Sequence, residues 1–145
     1  MRVDEIMTED VATVGLDSSV AHCARVMLTR GAGSVVVSTD GGPAGIVTES
    51  DVLRAGVASD SPLSTIPTRA VMSHPIKWVR PDSTSRVAAQ KMRDGRVKKL
   101  VVVDGAKMVG IVTATDIAFH ISDVARGVGE MLELKSKWES DRRFR

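Results

Sequence analysis

This chain of 145 residues has a single cysteine, and it lacks long apolar runs and a leader-like N-terminus. The single cysteine, Cys23, excludes an internal disulfide framework and is typical of a reducing compartment. No stretch approaches the roughly 18 consecutive apolar residues of a membrane span. The first residues, MRVDEIM, carry acids where a signal peptide requires an apolar segment. We therefore expect a cytoplasmic protein that does not contact a membrane.

A strong charge of one sign is missing as well. The formal net charge is +2, so the overall balance gives no reason to expect nucleic acid as the main partner. Only the segment from Lys135 onward, KSKWESDRRFR, is locally basic, with five basic and two acidic residues. We interpret this basic tail as the solvated end of a helix. A docking segment for an acidic partner or nucleic acid is the alternative.

Clusters of catalytic or metal-binding residues are the third absence. The three histidines, His22, His74 and His120, and Cys23 have the wrong spacing for a metal site. No Ser-His-Asp, Cys-His or paired-carboxylate arrangement stands out. These absences argue against an enzyme, and we expect neither a catalytic residue nor a metal or other cofactor.

The main positive feature of the chain is an internal sequence repeat. The segment GIVTESD at 45–51 returns as GIVTATD at 110–116, an offset of 65 residues (110 − 45). The same offset pairs further residues without a gap, among them Met7 with Met72, Asp17 with Asp82, Met27 with Met92 and Val36 with Val101. Self-similarity of this length predicts two copies of one unit, so a site built by one copy has a relative in the other. A unit of about 60 residues buries little surface alone, and we expect both copies to share one core.

Each copy shows the order strand, helix, strand, strand, helix, which predicts a mixed α/β fold. For the first copy we predict strands at 11–14, 35–37 and 44–47, a helix capped by Asp17 or Ser18 that ends near Arg30, and a second helix from Thr48. The second copy repeats these elements at 76–79, 83–93, 100–103, 108–112 and from Thr113. The predicted organisation is a first repeat at 1–58, a linker rich in Ser, Thr and Pro at 59–70, a second repeat at 71–122, and a helical extension with the basic tail at 123–145.

The last helix continues beyond the end of its counterpart in the first copy. Apolar residues recur four, three, four and three apart and form a stripe that extends to about Leu134: Ile117, Ile121, Val124, Val128 and Met131. Gly127 and Gly129 weaken this helix by about 1 kcal/mol each relative to alanine. A stripe that persists despite them predicts packing against this fold or against a second copy of the chain.

Both copies of the repeated segment place a threonine and an aspartate three residues apart where a strand gives way to a helix. A capping box explains Thr48 with Asp51 and Thr113 with Asp116 without any ligand, because threonine caps the first turn and the acid favours the positive end of the helix dipole. Two features favour a further role. The less usual aspartate occurs in both boxes, and a glycine three residues before each threonine predicts that something approaches the strand backbone closely.

The same atoms suit a ribonucleotide. A strand end followed by a helix N-terminus offers unpaired amides, a hydroxyl and a carboxylate, which match a ribose diol beside a phosphate. Charge-assisted hydrogen bonds of this kind contribute about 1.5 to 3 kcal/mol each. That is enough for micromolar binding once an adenine is also buried.

The doubled GhhTxxDh signature, in which h is apolar, follows a valine-rich strand and an opening Met-Thr or Met-Ser segment at 6–8 and 71–73. It resembles the CBS-domain pair, named for cystathionine β-synthase, over about residues 3–122. The resemblance implies tandem β-α-β-β-α repeats related by pseudo-twofold symmetry, with two clefts that in many members bind AMP, ADP, ATP or S-adenosylmethionine. It also implies a regulatory, non-catalytic module that forms at least a homodimer and acts on a regulated protein that the sequence does not identify.

Carried over residue by residue, the resemblance assigns the ribose hydroxyls to Asp51 and Asp116 and the phosphate to Thr48 and Thr113. It places adenine and basic phosphate contacts just before the middle strand of each repeat. Further expected ligand-binding residues are Ser34, Lys98 and Lys99 before those strands, Arg54 and His120 after the two motifs, and Trp78, whose stacking on a base competes with a role in packing. Because Lys98 and Lys99 align with Gly33 and Ser34, we expect the cleft of the second repeat to be more cationic and to prefer the more phosphorylated ligand.

Two classes of function remain open at this point. The leading one is a non-catalytic regulatory module that binds AMP, ADP or ATP in one or both clefts. The alternatives are an S-adenosylmethionine sensor and a protein-interaction or nucleic-acid-associated module, in which the repeats are mainly structural and the long helix and basic tail act.

Overall fold

The two sequence repeats fold into two copies of the same sheet-and-helix unit. A computed structural model of the chain describes the backbone of residues 1–143 and the side chains of residues 1–133. The first unit contains β1 (Thr13–Gly15), α1 (Val20–Arg30), β2 (Ser34–Thr39), β3 (Gly42–Thr48) and α2 (Glu49–Ala58). The second contains β4 (Trp78–Val79), α3 (Ser85–Gly95), β5 (Lys99–Asp104), β6 (Lys107–Thr113) and α4 (Ala114–Arg143). The predicted order of elements is confirmed in both repeats.

Each unit has a three-stranded mixed sheet with the same topology. The strand orders are β1-β2-β3 and β4-β5-β6, with a parallel first pair and an antiparallel second pair. Val36 lies opposite Ile46 in the first sheet, and Val101 lies opposite Ile111 in the second, 65 residues later. Both middle strands have three consecutive buried residues, because each sheet is covered on both faces. They are Val35, Val36 and Val37 in β2, and Leu100, Val101 and Val102 in β5.

The predicted helix starts need a small correction. Ser19, not Asp17 or Ser18, caps α1, and its side chain accepts a hydrogen bond from the backbone N of His22 at 3.2 Å. Ser18 is used elsewhere, since its Oγ donates to the carbonyl O of Gly15 at 2.6 Å. In the second repeat Thr84 takes the capping role, one residue after the predicted start of that helix.

The predicted linker at 59–70 is packed against the first repeat. It forms two short 3-10 turns, Leu63–Thr65 and Thr68–Ala70, and buries Thr68 completely. The hydroxyl of Thr68 lies 2.9 Å from Ser18 Oγ and 3.2 Å from Cys23 Sγ. The polar composition of the segment therefore reflects a hydrogen-bonded connection rather than a free one.

The opening segment of each repeat crosses to the other repeat. Thr8 exchanges two backbone hydrogen bonds of 2.9 Å with Ile111 in β6, and Ser73 exchanges bonds of 2.9 and 3.1 Å with Ile46 in β3. The motif strand of each repeat is thus extended by a segment from its partner repeat. Neither sheet is complete without the other half of the chain.

The hydrophobic core is divided in the same reciprocal way. One cluster contains Val3 with second-repeat residues such as Leu100 and Val112, and Ile6 and Met7 pack against it. The other is built from first-repeat residues, and Val71 and Met72 pack against it. The prediction of one shared core was wrong in form, because there are two clusters. It was right in its physical reason, because each cluster draws residues from both repeats.

The apolar stripe of α4 leaves the fold after its first turn. Ile117 is 7% exposed and belongs to the cluster that contains Leu100 and Val112. Farther along the stripe, Ile121, Val124 and Met131 are 61%, 50% and 69% exposed. The stripe therefore does not pack against this fold beyond Ile117. Leu134 and the basic tail lie outside the residues whose side chains are described.

Candidate functional site

The Thr-x-x-Asp motifs form the helix caps that their spacing predicts. Asp51 Oδ2 accepts hydrogen bonds from the backbone N of Thr48 at 2.8 Å and from its hydroxyl at 3.0 Å, while Thr48 Oγ1 accepts from Asp51 N at 3.3 Å. Thr113 and Asp116 repeat the exchange at 2.9 and 3.1 Å. In each box one carboxylate oxygen is committed to the backbone. The other, Oδ1 of Asp51, lies 3.7 Å from a guanidinium N of Arg54.

The close approach predicted at the motif glycines comes from the chain itself. A Cβ built on Gly45 would lie 2.8 Å from Met72 Sδ and 2.9 Å from the carbonyl O of Ser73. A Cβ on Gly110 would lie 2.7 Å from Met7 Sδ and 2.8 Å from the carbonyl O of Thr8. The glycines therefore admit the crossing segments, which explains them without a ligand.

Two clefts flank the crossing segments, one beside each motif. The first cleft lies beside Thr48 and has a volume of about 590 Å³. The first repeat lines it with Gly33, Ile46, Thr48, Glu49, Ser50 and Arg54, and the second repeat with residues 73–77 and 96–99. Both repeats are thus needed to build one cleft.

The second cleft lies beside Thr113 and is smaller, about 380 Å³. Its lining comes from Ile111, Thr113 and Lys99 of the second repeat and from Thr8, residues 10–12 and residues 30–34 of the first. Apart from Arg30 and Lys99, each of these residues is the 65-residue counterpart of a residue that lines the first cleft. The two clefts are therefore pseudo-symmetric sites.

The crossing arrangement corrects the predicted grouping of the site residues. Lys98 lines the first cleft, across from Thr48, and not the cleft of its own repeat's motif. Ser34 likewise lines the second cleft with Thr113. The extra cations therefore lie beside the first motif, because the segment before each middle strand faces the motif of the other repeat.

Lys99 is the one basic residue that lines both clefts. Its ammonium would lie 3.3 Å from a Cβ on Gly33, so the missing side chain there makes room for it. Burial lowers the pKa of Lys99, and the carboxylates of Glu49 and Asp116 oppose that shift by favouring the charged form.

Trp78 and His120 are not among the residues that line either cleft. Adjacent residues of a strand point to opposite sides, so Lys77 lines the first cleft and Trp78 points away from it. Trp78 is 47% exposed, and the ammonium of Lys91 lies 5.0 Å from the centroid of its indole ring. Trp78 therefore does not border either cleft in this structure, and its stacking on a base stays a prediction.

Asp51 and Asp116 also lie just behind the cleft walls rather than among the lining residues. The side chain of Asp51 is 12% exposed, and that of Arg54, which lies 3.7 Å from it, is 78% exposed. The role of both carboxylates toward a ribose remains a prediction.

The predicted site residues left out six polar residues that line the first cleft: Glu49, Ser50, Ser73, His74, Lys77 and Arg96. Of these, Arg96 lies in the segment before the middle strand in which the resemblance places adenine and phosphate contacts. Ser50 occupies the variable position of the motif. Arg96 is the counterpart of Gly31, and both adopt a left-handed backbone at a helix end, with φ of 52° and 61°. An arginine where the other repeat has the C-terminal glycine of a helix was the signal that pointed to it.

Two kinds of site are not found in the described part of the chain. No group of three His, Cys, Asp or Glu side chains there is close enough to hold a metal ion. None of the described helices combines the length and apolarity required to cross a membrane.

Several relatives found by sequence similarity are longer proteins, and this chain matches one part of each. MJ1404 of Methanocaldococcus jannaschii is 31% identical over 92% of this chain and 35% of its own length. A homoserine O-acetyltransferase of Methanohalobium evestigatum is 32% identical over 83% of this chain and 24% of its own length. The chain thus spans about a third or less of these relatives. The CBS domain-containing protein YhcV of Bacillus subtilis is closer in size, with 29% identity over 81% of this chain and 84% of YhcV.

Solved structures share the fold over most of the chain. The CBS-domain containing protein ATU1752 from Agrobacterium tumefaciens has a TM-score of 0.76 and 25% identity and covers 83% of this chain and 98% of that protein. A hexameric CBS-CP12 protein from bloom-forming cyanobacteria has a TM-score of 0.76 and 26% identity, over 82% and 70%. A family model, the CBS domain, matches residues 3–58 and 69–123, and paired CBS domains are commonly regulatory ligand-binding modules. With its two matched repeats and their reciprocal clefts, this chain belongs to the CBS domain family.

Proposed function

We propose that this protein is a non-catalytic regulatory module of the cytoplasm that binds an adenine nucleotide, AMP, ADP or ATP, in the clefts between its repeats. The observation that carries the proposal is the pair of pseudo-symmetric clefts, each bordered by a Thr-x-x-Asp helix start. A helix N-terminus with a hydroxyl and free amides favours a phosphate. A cleft of about 590 Å³ is of the size that holds a small-molecule ligand.

The residues of the first cleft suggest how a nucleotide is held. The hydroxyls of Thr48 and Ser50 border the start of α2. There Glu49 N donates to Gly33 O and Asp51 N donates to Thr48 Oγ1, which leaves the amide of Ser50 for a phosphate. Asp51 Oδ1 becomes available to a ribose diol if Arg54, which is 78% exposed, swings toward the phosphate. Apolar contacts for an adenine come from Ile46, Ile76 and Val97.

Ligand binding would be coupled to the arrangement of the repeats. The first cleft joins α2 of the first repeat to the segments at 73–77 and 96–99 of the second. A ligand that bridges them stabilises one relative position of the two halves, by the difference in its affinity for the alternatives. A partner that contacts both halves can read that difference, which is the physical basis of a regulatory role.

The proposal is tested by thermal unfolding with adenosine, AMP, ADP, ATP and S-adenosylmethionine, each supplied in turn to the full chain. A ligand at 100 times its dissociation constant raises the free energy of unfolding by about 2.7 kcal/mol, and we expect at least one adenine nucleotide to do so. Guanosine monophosphate is the control for base recognition. A response to S-adenosylmethionine alone would replace the nucleotide with that ligand, and no response to any adenosine compound would refute the proposal.

The exposed stripe of α4 supports a second candidate, a module that acts by association with another chain. Four of its apolar residues, Ile121, Val124, Val128 and Met131, are at least half exposed. This candidate predicts association without any nucleotide effect on unfolding. The two candidates are compatible if ligand binding changes that association.

A further inference from the structure

The basic residues of the first cleft have no basic counterparts in the second. Those that line the first cleft are Arg54, Lys77, Arg96, Lys98 and Lys99. The residues 65 positions away are, in the same order, Phe119, Ala12, Gly31, Gly33 and Ser34. The two clefts can therefore be compared position by position: the first has five basic residues without basic counterparts, whereas the second has Arg30, opposite Gly95, and shares Lys99 with the first.

The charges of the second cleft largely neutralise each other. Arg30 lies 2.8 Å from Asp10 Oδ1 and also donates to the carbonyl O of Asp10 at 3.2 Å. Both residues line the second cleft. The residue of the other repeat that corresponds to Arg30 is Gly95, and the one that corresponds to Asp10 is Pro75. Beyond this ion pair, Lys99 is its remaining basic residue among those described, and the first cleft shares it.

Most cations of the first cleft form no close ion pair with the rest of the described chain. Among the described residues, Lys77, Arg96 and Lys98 have no carboxylate within 4.0 Å. Arg54 reaches its nearest carboxylate only at 3.7 Å. Glu49 is the single acidic residue in the lining of this cleft. Several like charges gathered without partners around one cavity lower stability by mutual repulsion, so an anion there would relieve them.

The backbone at Arg96 adds an independent sign of a functional constraint. Its φ of 52° is left-handed, and it is the one non-glycine residue with positive φ among those described. Glycine takes this conformation at Gly31 in the other repeat without cost. Strained residues of this type occur preferentially at ligand sites.

From these contrasts we infer that the first cleft is specific for a nucleoside polyphosphate, while the second accepts a ligand with at most one phosphate. The inference rests on the proposed function, since it assigns different members of one ligand class to the two clefts. Attraction between the cations and the phosphates grows with each added phosphate charge. The second cleft, in which Lys99 is the one described basic residue outside the ion pair, offers a much smaller gain, so the protein can sense a nucleoside triphosphate and a monophosphate with separate sites.

The test is titration calorimetry of the full chain with adenosine, AMP, ATP and inorganic tripolyphosphate, in buffer without divalent cations. We expect ATP to bind one site at least about tenfold more tightly than AMP does, and that advantage to shrink as salt increases from about 0.05 to about 0.3 M. Tripolyphosphate alone should bind far more weakly than ATP. If it binds equally well, the site recognises a phosphate chain and the nucleoside assignment is wrong.

Paired variants then locate the site. Arg96→Gln/Lys98→Gln should lower ATP affinity about tenfold and leave adenosine affinity within about twofold. Arg54→Gln, on the opposite wall, should act in the same direction. Arg86→Gln/Lys107→Gln removes the same charge from exposed positions outside both clefts and should change neither affinity.

The outcomes separate this inference from the proposed function. Equal ATP and AMP affinities in the parent protein, or equal losses in the two double variants, would overturn the polyphosphate assignment while nucleotide binding stands. A parallel loss of adenosine and ATP binding would show that Arg96 and Lys98 shape the pocket wall instead. Absence of binding by every adenosine compound would refute the proposed function itself.

Discussion

At the scale of single residues, the two carboxylate oxygens of Asp51 have different surroundings. Its Oδ2 closes the capping box with Thr48, and its Oδ1 faces Arg54 at the edge of the first cleft. A capping role and a ligand role are therefore not alternatives, as the sequence alone made them look. They differ in what a substitution removes.

We predict that Asp51→Ala will lower both stability and nucleotide affinity. Loss of the capping carboxylate should cost about 1 kcal/mol of stability, measured by denaturant unfolding. Loss of the proposed diol acceptor should weaken binding at the first cleft about tenfold, measured by calorimetry. Ser19→Ala, which removes the cap of α1 outside both clefts, is the control and should affect stability only. If Asp51→Ala behaves like Ser19→Ala, the carboxylate is purely structural.

Arg96 allows a prediction in which stability and binding change in opposite directions. Arg96→Gly relieves a left-handed conformation that costs roughly 1 to 2 kcal/mol, against about 0.4 to 1 kcal/mol for the added freedom of the unfolded chain. We expect unfolding at higher temperature together with weaker ATP binding. Lys98→Gln should weaken ATP binding without the gain in stability. A lower unfolding temperature for Arg96→Gly would show that contacts of the Arg96 side chain outweigh the strain.

Six of the ten site residues predicted from the sequence line a cleft, but the sequence did not show how they are grouped. Alignment of the two repeats shows that Lys98 corresponds to Gly33, yet it does not show which motif either one faces. That depends on the crossing of the opening segments, which brings Lys98 to Thr48. The side of the sheet on which Trp78 lies was not predictable for a related reason, because in a strand of two residues the alternation alone does not say which side faces the cleft.

At the scale of elements, the motif strands β3 and β6 depend on the crossing segments that extend them. Gly45 and Gly110 are the points where those segments pass closest to the sheet. A side chain at either point would collide with backbone, which cannot move away as the end of a flexible side chain can. The two glycines, which in the sequence suggested close approach by a ligand, are therefore packing sites for the crossing segments.

We predict that Gly45→Ala will destabilise the protein by about 1 to 3 kcal/mol, the usual range for overpacking. The new methyl group would lie 2.9 Å from the carbonyl O of Ser73 and 2.8 Å from Met72 Sδ. Gly15→Ala in β1 is the control, because a Cβ there has no neighbour within 4 Å. Chemical denaturation of both variants measures the difference. Equal stabilities would mean that the crossing segment yields readily and does not fix the strand.

Element boundaries show the limit of local sequence signals. Three consecutive residues, Asp17, Ser18 and Ser19, are all good helix caps, and local preference does not rank them. A tertiary contact decides, since Ser18 lies 2.9 Å from the buried Thr68 and is thereby held outside the helix. Strand and helix types were predictable because their apolar periods are strong, whereas the choice of cap needed a contact 50 residues away along the chain.

At the scale of the whole molecule, reciprocal exchange makes the two repeats one cooperative unit. Val3, Ile6 and Met7 complete the second-repeat cluster, while Val71 and Met72 complete that of the first. The repeat in the sequence predicted two similar units, but not that each unit is finished by the other. The same exchange builds both clefts, so folding and ligand binding depend on the same connections.

The surface that this unit does not cover is the apolar stripe of α4 beyond Ile117. Exposed apolar residues in a continuous row along one helix are typical of an interface. The stripe is regular in period, and the helix continues through Gly127 and Gly129. A Cβ built on either glycine would have no neighbour within 4 Å outside the helix backbone. A second copy of the same helix offers a matching apolar row, and a twofold arrangement would let each stripe cover the other.

We therefore predict a dimer in solution that depends on this stripe. Val124→Glu/Val128→Glu introduces four carboxylates into the dimer interface, where burial of unpaired charge is unfavourable. Sedimentation equilibrium at tens of micromolar should show a dimer for the parent protein and a monomer for this variant. Ser122→Glu/Gly129→Glu, which places the same charge on the side of α4 away from the stripe, should remain dimeric.

A monomeric parent protein would contradict the prediction, and dissociation of both variants would show that charge on α4, rather than its apolar stripe, controls assembly. If only the stripe variant dissociates and its nucleotide affinity also changes, the long helix is the element through which the clefts communicate with a partner.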